Sequence, residues 1–238
     1  MTTSTNPDDS EYLSQYLVDA AWVQAHRDDP NVVLVDIDGE AGYQRGHIPT
    51  AVMLPSNYER DPVDGLVSTF PPEKFAATCQ NLGIGDTTQV VAYDHNMSLY
   101  AARFWWVSNY YGHTNMKVLD GGWRRWVTEG RQVSFERTVP VTGLKFTPKT
   151  DDMLMGTLDQ VRAACDVGDA VIWDVRTSSE YDGTVTRAGL RPGHISGAVN
   201  LEWADLMNRE THRFKPLEQI RALMNERGII PDKAIFAY

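Results

Sequence analysis

Short apolar runs alternate along the chain with longer stretches in which apolar and polar residues mix. The runs are rich in β-branched and aromatic residues, as is typical of strands buried inside a sheet. The clearest are NVVLVDI (31–37), TQVVAYD (88–94), MKVLD (116–120), DAVIWDV (169–175) and KAIFAY (233–238). Each of these segments is predicted to be a core strand.

The stretches between the runs predict helices with recognisable ends. Two of them have a proline near the start and a glycine at the end, which are common helix boundaries. The predicted helices are PPEKFAATCQNLG (71–83), SLYAARFWWVSNYYG (98–112), WRRWVTEG (123–130), TLDQVRAACDVGD (157–169) and KPLEQIRALMNERG (215–228). Because strands and helices alternate, we expect an α/β fold with a mostly parallel sheet and helices on both faces.

The second half of the chain repeats the first half, and such repeats define architecture. VVLVDIDGEAGYQRGHIPTAVMLP (32–55) matches AVIWDVRTSSEYDGTVTRAGLRPGHISGAVNLEW (170–203), which carries an insertion before its Gly-His-Ile. NLGIGDTTQVVAYD likewise matches ERGIIPDKAIFAY, and the same number of residues separates Gly83 from Gly228 as Tyr93 from Tyr238. Two α/β units are therefore predicted.

The boundaries of the units follow from composition. VPVTGLKFTPKTDD is rich in proline and threonine and is predicted to be a linker, and the polar N-terminus is predicted to be a flexible tail. In the first copy roughly forty residues lie between Tyr93 and the end of its last helix, so the second copy is expected to be truncated at its C-terminus. The predicted segments are a tail (1–10), an N-terminal domain (11–138), the linker (139–152) and a C-terminal domain (153–238).

Composition and charge narrow the class of protein. The chain is 42% hydrophobic with a net charge of −10 and a pI of about 5.0, which argues against nucleic acid or an anionic membrane as a partner. No apolar run is long enough for a membrane span, and no signal peptide is recognisable. Cys79 and Cys165 are too few for a disulfide framework and are expected to be structural thiols, so a cytoplasmic location is predicted.

The loops that follow Tyr93 and Tyr238 are candidate sites, because ligands of open parallel sheets bind at the carboxyl ends of the strands. After Tyr93 the chain reads DHNMSLYAAR and enters a helix, where backbone amides can hold an anion or favour a thiolate. This loop begins with Asp94, whose carboxylate would repel an anionic substrate, and no Ser or Cys stands beside His95 to be activated. We expect this loop to be catalytically silent, and an acid/base role is the alternative.

These motifs resemble the tandem-domain rhodanese family, the thiosulfate and 3-mercaptopyruvate sulfurtransferases. The matching segments are VDIDGEAGYQRGHIPTAV, VVAYDHNMSLYAARFWW, VLDGGWRRW, WDVRTSSEYDG and PGHISGAVNLEW, and the resemblance spans about residues 12–238. It implies two rhodanese-like domains, the first inactive with Asp94 at the head of its loop. It also implies that the nucleophilic cysteine stands immediately after Tyr238, so that no catalytic residue is expected within residues 1–238.

The chemistry that the resemblance implies is covalent catalysis. A thiolate takes the outer sulfur of a small anionic donor, thiosulfate being favoured, and the persulfide passes it to cyanide or to a thiol acceptor such as a thioredoxin-like protein. No metal and no cofactor is implied. The alternatives are a non-catalytic sulfur carrier or regulatory binding module, and a phosphatase of the related fold, which needs a longer loop after Tyr238.

Three residues of the second copy are candidates for binding substrate or ordering the loop. Asp174 ends a core strand, and the family implies a loop-ordering role for it, whereas a turn cap is the alternative and the preferred interpretation of Asp36. Arg176 either reaches the substrate or forms a structural ion pair. Glu180 stands where several family members carry a substrate-contacting arginine, and a carboxylate does not recognise an anion as arginine does.

Two pairs of ring-bearing residues have a structural interpretation. His47 and His194, from the two Gly-His-Ile motifs, are expected to hold the fold rather than to act as ligands or bases. The aromatic pair Trp105-Trp106 is expected in the core, with a position facing the cleft between the domains as the alternative.

Overall fold

A computed structural model of the protein describes residues 7–55, 71–186 and 191–238. No helix within these residues is both long and apolar enough to cross a membrane. Residues 1–6 of the predicted tail lie outside the described residues. Residues 7–10 of that predicted tail belong to the first helix, α1, which spans Pro7–Ser14.

The chain divides into two compact units, each with its own sheet. The division falls between Asp152 and Met153, where a short 3-10 helix spans Asp152–Leu154. Residues 210–213 are grouped with the first unit.

The first unit is built on a parallel sheet of five strands. They are β1 (Leu17–Val18), β2 (Val32–Asp36), β3 (Val52–Met53), β4 (Gln89–Tyr93) and β5 (Met116–Leu119), in the spatial order β1-β5-β4-β2-β3. The helices after α1 are α2 (Ala20–His26), α3 (Gly39–Arg45), α4 (Pro72–Asn81), α5 (Leu99–Tyr110) and α6 (Gly122–Thr128).

Helices cover both faces of this sheet. Successive residues of its central strands point to opposite sides, so each of these strands contributes to two core layers. Val35 and Ala92 face a core layer that includes Phe75 of α4 and Phe104 of α5. Their neighbours Leu34 and Val91 face the opposite layer, which includes side chains of α2 and α6. A strand buried on both faces explains why the apolar runs of the sequence are continuous rather than alternating.

The second unit repeats the central part of this arrangement. Its sheet contains β6 (Val171–Asp174), β7 (Val199–Asn200) and β8 (Ile235–Ala237) in the order β7-β6-β8, with both pairings parallel. The order corresponds to β3-β2-β4 of the first unit. Its helices are α7 (Leu158–Val167), α8 (Ser178–Tyr181) and α9 (Leu217–Glu226), with a 3-10 helix at Trp203–Leu206.

The segment 139–152, predicted to be a linker, is held against the first unit. The side chain of Phe146 is buried in the same core layer as Phe75. The amide of Lys149 donates to the carbonyl of Tyr111 at 2.9 Å. The segment therefore follows a fixed path along the first unit before the second begins.

Candidate functional site

The tyrosine that ends β4 and the tyrosine that follows β8 are fixed in the same way in their units. The hydroxyl of Tyr93 accepts a hydrogen bond from the amide of Ile48 at 3.0 Å, and the hydroxyl of Tyr238 accepts one from the amide of Ile195 at 3.0 Å. Each phenol also lies beside the strand aspartate of its unit, Asp36 or Asp174 in turn. The repeat seen in the sequence is therefore a repeat of individual contacts.

The Gly-His-Ile motifs hold these contacts in place. The ring of His47 stacks on Tyr43 with 3.6 Å between ring centres, and that of His194 stacks on Tyr181 with 3.7 Å. Each histidine Nδ1 lies within hydrogen-bond distance of its tyrosine's carbonyl, at 2.9 and 2.7 Å. Both tyrosine hydroxyls in turn donate to a carbonyl just after the motif at 2.8 Å. The fold-holding role predicted for the two histidines fits this geometry.

In the first unit the loop after β4 is wrapped around its own carboxylate. Asp94 is buried, and its two oxygens accept four backbone amides at 2.8 to 2.9 Å. Met97 and Ser98 adopt left-handed backbone conformations, φ 53° and 65°, which curl the loop and aim its amides inward. The donors are the amides of Asn96, Ser98, Tyr100 and Ala101. The loop thus binds an anion, and that anion is the side chain of Asp94.

A glycine turn after β5 supports this loop. The amide of Trp123 donates to the carbonyl of Asp94 at 2.9 Å. Gly122 lies so close that a Cβ added to it would stand 2.3 Å from the same carbonyl oxygen. A glycine is required here because any side chain would enter the loop's backbone.

Three carboxyl groups converge at this strand end in the first unit. The pKa of Asp36 is raised to about 7, chiefly by burial and in smaller part by the charges of Asp38 and Asp94. Burial also raises the pKa of Asp94, although its amide hydrogen bonds act in the opposite direction. Asp38 accepts the amide of His95 at 3.0 Å and lies 2.5 Å from its Nδ1. The charge of Asp38 therefore acts against ionisation of both Asp36 and Asp94.

The second unit places a cation where the first has Asp38. Arg176 donates through Nε and Nη2 to the two oxygens of Asp174, at 3.0 and 2.5 Å, and through Nη2 to the carbonyl of Gly193 at 3.0 Å. Its guanidinium lies 5.2 Å from the ring centre of Tyr238. Burial raises the pKa of Asp174, but hydrogen bonds from Arg176 outweigh it, so the pKa lies below its ordinary value.

The third candidate, Glu180, has a helix-capping position. Its carboxylate accepts the amide and the hydroxyl of Thr177, at 3.2 and 2.8 Å, while the hydroxyl of Thr177 accepts the amide of Glu180 at 3.3 Å. This reciprocal pair is a capping box at the start of α8. The structure therefore brings Asp174 and Arg176 together at the strand end and gives the Glu180 carboxylate a local partner.

The two cysteines and the tryptophan pair named in the sequence analysis are all buried or partly buried. Cys79 is buried and Cys165 partly buried, as expected of structural thiols. Trp105 and Trp106 are partly buried against the core of the first unit. Among the described residues, no group of three His, Cys, Asp or Glu side chains is arranged to hold a metal ion.

Sequence reasoning missed Asp38 and the two tyrosine hydroxyls. Asp38 stands two residues after Asp36 just as Arg176 stands two residues after Asp174, so aligning the copies further would have shown the reversal of charge. The partners of Tyr93 and Tyr238 could not be found in this way. Each partner is a backbone amide, which almost any residue type can supply.

The chain is similar to known proteins over most of its length. The family model described as "Rhodanese-like domain" matches residues 19–129 and 157–238. The sulfur carrier protein TtuD of Thermus thermophilus is 34% identical over 236 residues, covering 94% of this chain and 82% of that protein. A Mycobacterium bovis protein, provisionally named thiosulfate sulfurtransferase 1, is 32% identical over 232 residues, covering 93% and 82%.

Solved structures agree with the sequence relatives. The 3-mercaptopyruvate sulfotransferase SseA of Escherichia coli superimposes with a TM-score of 0.84 at 26% identity, covering 93% of this chain and 87% of SseA. The two ranges matched by the family model contain the two Gly-His-Ile loops and the paired strand ends. The chain belongs to the rhodanese family of sulfurtransferases and carries two rhodanese-like domains in tandem.

Proposed function

We propose that the full-length protein moves a sulfane sulfur from thiosulfate to cyanide or a thiol acceptor, through a persulfide on a cysteine that follows Tyr238. The equivalence of the two strand ends carries this proposal. After Tyr93 the next residue, Asp94, enters a ring of four amides. Tyr238 is fixed by the same contacts as Tyr93, so the residue after it is expected to enter an equivalent ring.

The proposed chemistry needs only that ring and a thiolate. The thiolate sulfur attacks the outer sulfur of thiosulfate, the sulfur–sulfur bond of the donor breaks, and sulfite leaves with the electron pair. The enzyme then carries a persulfide whose terminal sulfur is anionic. Cyanide carbon attacks this sulfur, thiocyanate departs, and the thiolate is restored. Backbone amides stabilise each anionic sulfur species without a metal or cofactor.

Asp174 and Arg176 support the loop in this proposal. Their ion pair is tied to Tyr238 through the phenol and through the guanidinium above its ring, so it fixes the strand end next to the proposed nucleophile. Glu180 caps α8, and its carboxylate would not attract an anionic donor. The preference for thiosulfate over 3-mercaptopyruvate is part of the proposal and rests on the names of relatives rather than on a binding residue.

A sulfur carrier is the second candidate, and the identity to TtuD favours it. The same persulfide would form, but it would pass its sulfur to a protein thiol, such as that of a thioredoxin-like partner, rather than to cyanide. A cytoplasmic location suits either function, because both need a reduced thiol.

The test uses the full-length protein with thiosulfate and, in parallel, with 3-mercaptopyruvate. Intact-mass measurement after each donor reports the gain of one sulfur atom, and a thiocyanate assay with cyanide reports turnover. The variants are a serine at the position after Tyr238 and, as the matched thiol control, Cys165→Ser. We expect the first variant to lose both signals and Cys165→Ser to keep them.

The outcomes separate the candidates. Persulfide with rapid thiocyanate formation supports the transferase, whereas persulfide that only a protein thiol discharges supports the carrier. Faster reaction with 3-mercaptopyruvate would overturn the proposed donor. A full-length protein that gains no sulfur from either donor would contradict both functions.

A further inference from the structure

The two units differ in charge at one equivalent position beside the strand end. This position is the second residue after the strand aspartate: Asp38 follows Asp36, and Arg176 follows Asp174. In both units the strand aspartate accepts the amide of that residue, at 2.9 and 3.0 Å, so the two backbones have the same turn. The difference is therefore confined to the side chain.

In the first unit the side chain at this position reaches the loop that follows β4. In the first unit a carboxylate oxygen of Asp38 accepts the amide of His95, the second residue of the loop headed by Asp94. Asp38 is nearly buried, with 6% of its side chain exposed, so water screens its charge only weakly. The titratable groups that face it are Asp36, Asp94, Tyr93 and His95.

Arg176 occupies the equivalent place with the opposite charge. Its guanidinium is held by Asp174 and by the carbonyl of Gly193, and it lies over the ring of Tyr238. One quarter of its side chain is exposed, so its field is partly screened. Asp174 and Tyr238 are the titratable groups that face it.

We propose that this position decides which of the two loops stabilises an anionic sulfur: Arg176 supports the anion in the second unit, and Asp38 opposes it in the first. The inference rests on the proposed function for the identity of the nucleophile, but it concerns a charge that the proposed function does not require. Arg176 is thus a positioning residue that acts through the field at the loop. The silence of the first unit then has a second cause besides Asp94, because a thiol placed there would face carboxylates rather than a guanidinium.

The test in the second unit measures the thiolate directly. In the full-length protein, alkylation by iodoacetamide is followed against pH at the peptide that contains the nucleophile, for wild type, Arg176→Gln, Arg176→Lys and the control Arg162→Gln. Arg162 is an exposed arginine on α7, so the control removes the same charge elsewhere. We expect Arg176→Gln to shift the half-maximal pH upward by about one unit, a roughly tenfold loss of thiolate at neutral pH. Arg176→Lys should retain most of the effect, and Arg162→Gln should match wild type.

A second arm tests the first unit without relying on any residue after Tyr238. Asp94→Cys places a reporter thiol at the head of the loop, and its alkylation is compared with that of Asp94→Cys combined with Asp38→Asn. We expect Asp38→Asn to move the half-maximal pH downward. This arm decides the inference if Arg176→Gln fails to fold.

The outcomes distinguish this inference from the proposed function. Alkylation needs no sulfur donor, so a protein that forms no persulfide but whose curves shift as expected would contradict the function and leave the inference supported. The inference would be overturned if Arg176→Gln overlaid wild type and the double variant overlaid Asp94→Cys, and sulfur transfer would be untouched by that result. A purely structural role for Arg176 would lower the unfolding midpoint without moving the alkylation curve, and that result would also overturn it.

Discussion

The hydroxyl of Tyr238 accepts a hydrogen bond from the backbone amide of Ile195 at 3.0 Å. Tyr93 and Ile48 make the same contact in the first unit. One contact joins the end of β4 to the Gly-His-Ile loop of the first unit, and the other joins the residue after β8 to the Gly-His-Ile loop of the second unit. The framework around the strand end is therefore duplicated, and the two units differ in the charges placed on it.

Removing the hydroxyl should cost more in the first unit than in the second. Tyr93→Phe leaves the amide of Ile48 without its acceptor in a fully buried place, which we expect to destabilise the unit by about 1–3 kcal/mol. Tyr238→Phe leaves the amide of Ile195 partly accessible to water, so about 0.5–1.5 kcal/mol is expected. Hydrogen exchange followed by mass spectrometry resolves the two units. A larger loss for Tyr238→Phe would contradict the assignment of these contacts.

The first unit should become less stable as pH rises toward neutrality. Burial raises the pKa of Asp36 to about 7 from an ordinary value of 3.8, so between these values the folded state holds a proton that the unfolded state has released. The free energy of unfolding then falls with rising pH, by about 1.4 kcal/mol per unit across that window. Urea unfolding at pH 5, 6 and 7 is the measurement. Asp36→Asn should flatten the slope, and an unchanged slope would argue against a protonated Asp36.

Two glycines with similar backbones should respond differently to alanine. Gly122 and Gly130 both have positive φ, 49° and 66°, so Gly→Ala brings backbone strain to each. A Cβ at Gly122 would also collide with the carbonyl of Asp94, whereas nothing lies within 4 Å of a Cβ at Gly130. We expect Gly130→Ala to cost about 1 kcal/mol and Gly122→Ala at least twice that. Equal unfolding midpoints for the two variants would refute the close approach.

The two cysteines should differ in reactivity toward a thiol reagent. Cys79 is 1% exposed, and burial raises its pKa far above the ordinary value, whereas Cys165 is partly accessible. In the 238-residue chain, Ellman's reagent should modify Cys165 first and Cys79 only on unfolding. Cys165→Ser should abolish the early phase. An early phase that survives this substitution would place Cys79 in reach of solvent.

The central strands and the longer helices could be predicted from the sequence because each carries a long local pattern. β4 and β6 are continuous apolar runs, and α4 and α9 have a proline and a glycine at their ends. The two-residue strands β1, β3 and β7 were not predicted, since two residues show no period. The start of α1 was mistaken for a tail because its first residues are polar and acidic.

The equivalence of the two strand ends could be predicted from the sequence, but the charges around them could not. The repeat placed Asp94 and the end of β8 at equivalent sheet edges, since strand pairing follows from apolar patterns. That Asp94 would bind its own loop amides depends on the left-handed backbones of Met97 and Ser98, which no residue preference signals. The Thr-x-x-Glu spacing of Thr177 and Glu180 is typical of a capping box. Glu180 was instead interpreted by comparison with an arginine that several family members carry at this position.

The anion bound by the loop after β4 is covalently part of that loop, because it is the side chain of Asp94. The Asp94 carboxylate is joined to the backbone through a single methylene group and competes for the four amides at a very high effective concentration. A dissolved anion must therefore displace it rather than fill a free site. The fold therefore occurs twice, but under the proposed function only the second unit would offer a free site to a donor. A titration that gave a stoichiometry of one donor per chain would reflect this permanent self-occupancy rather than negative coupling between two sites.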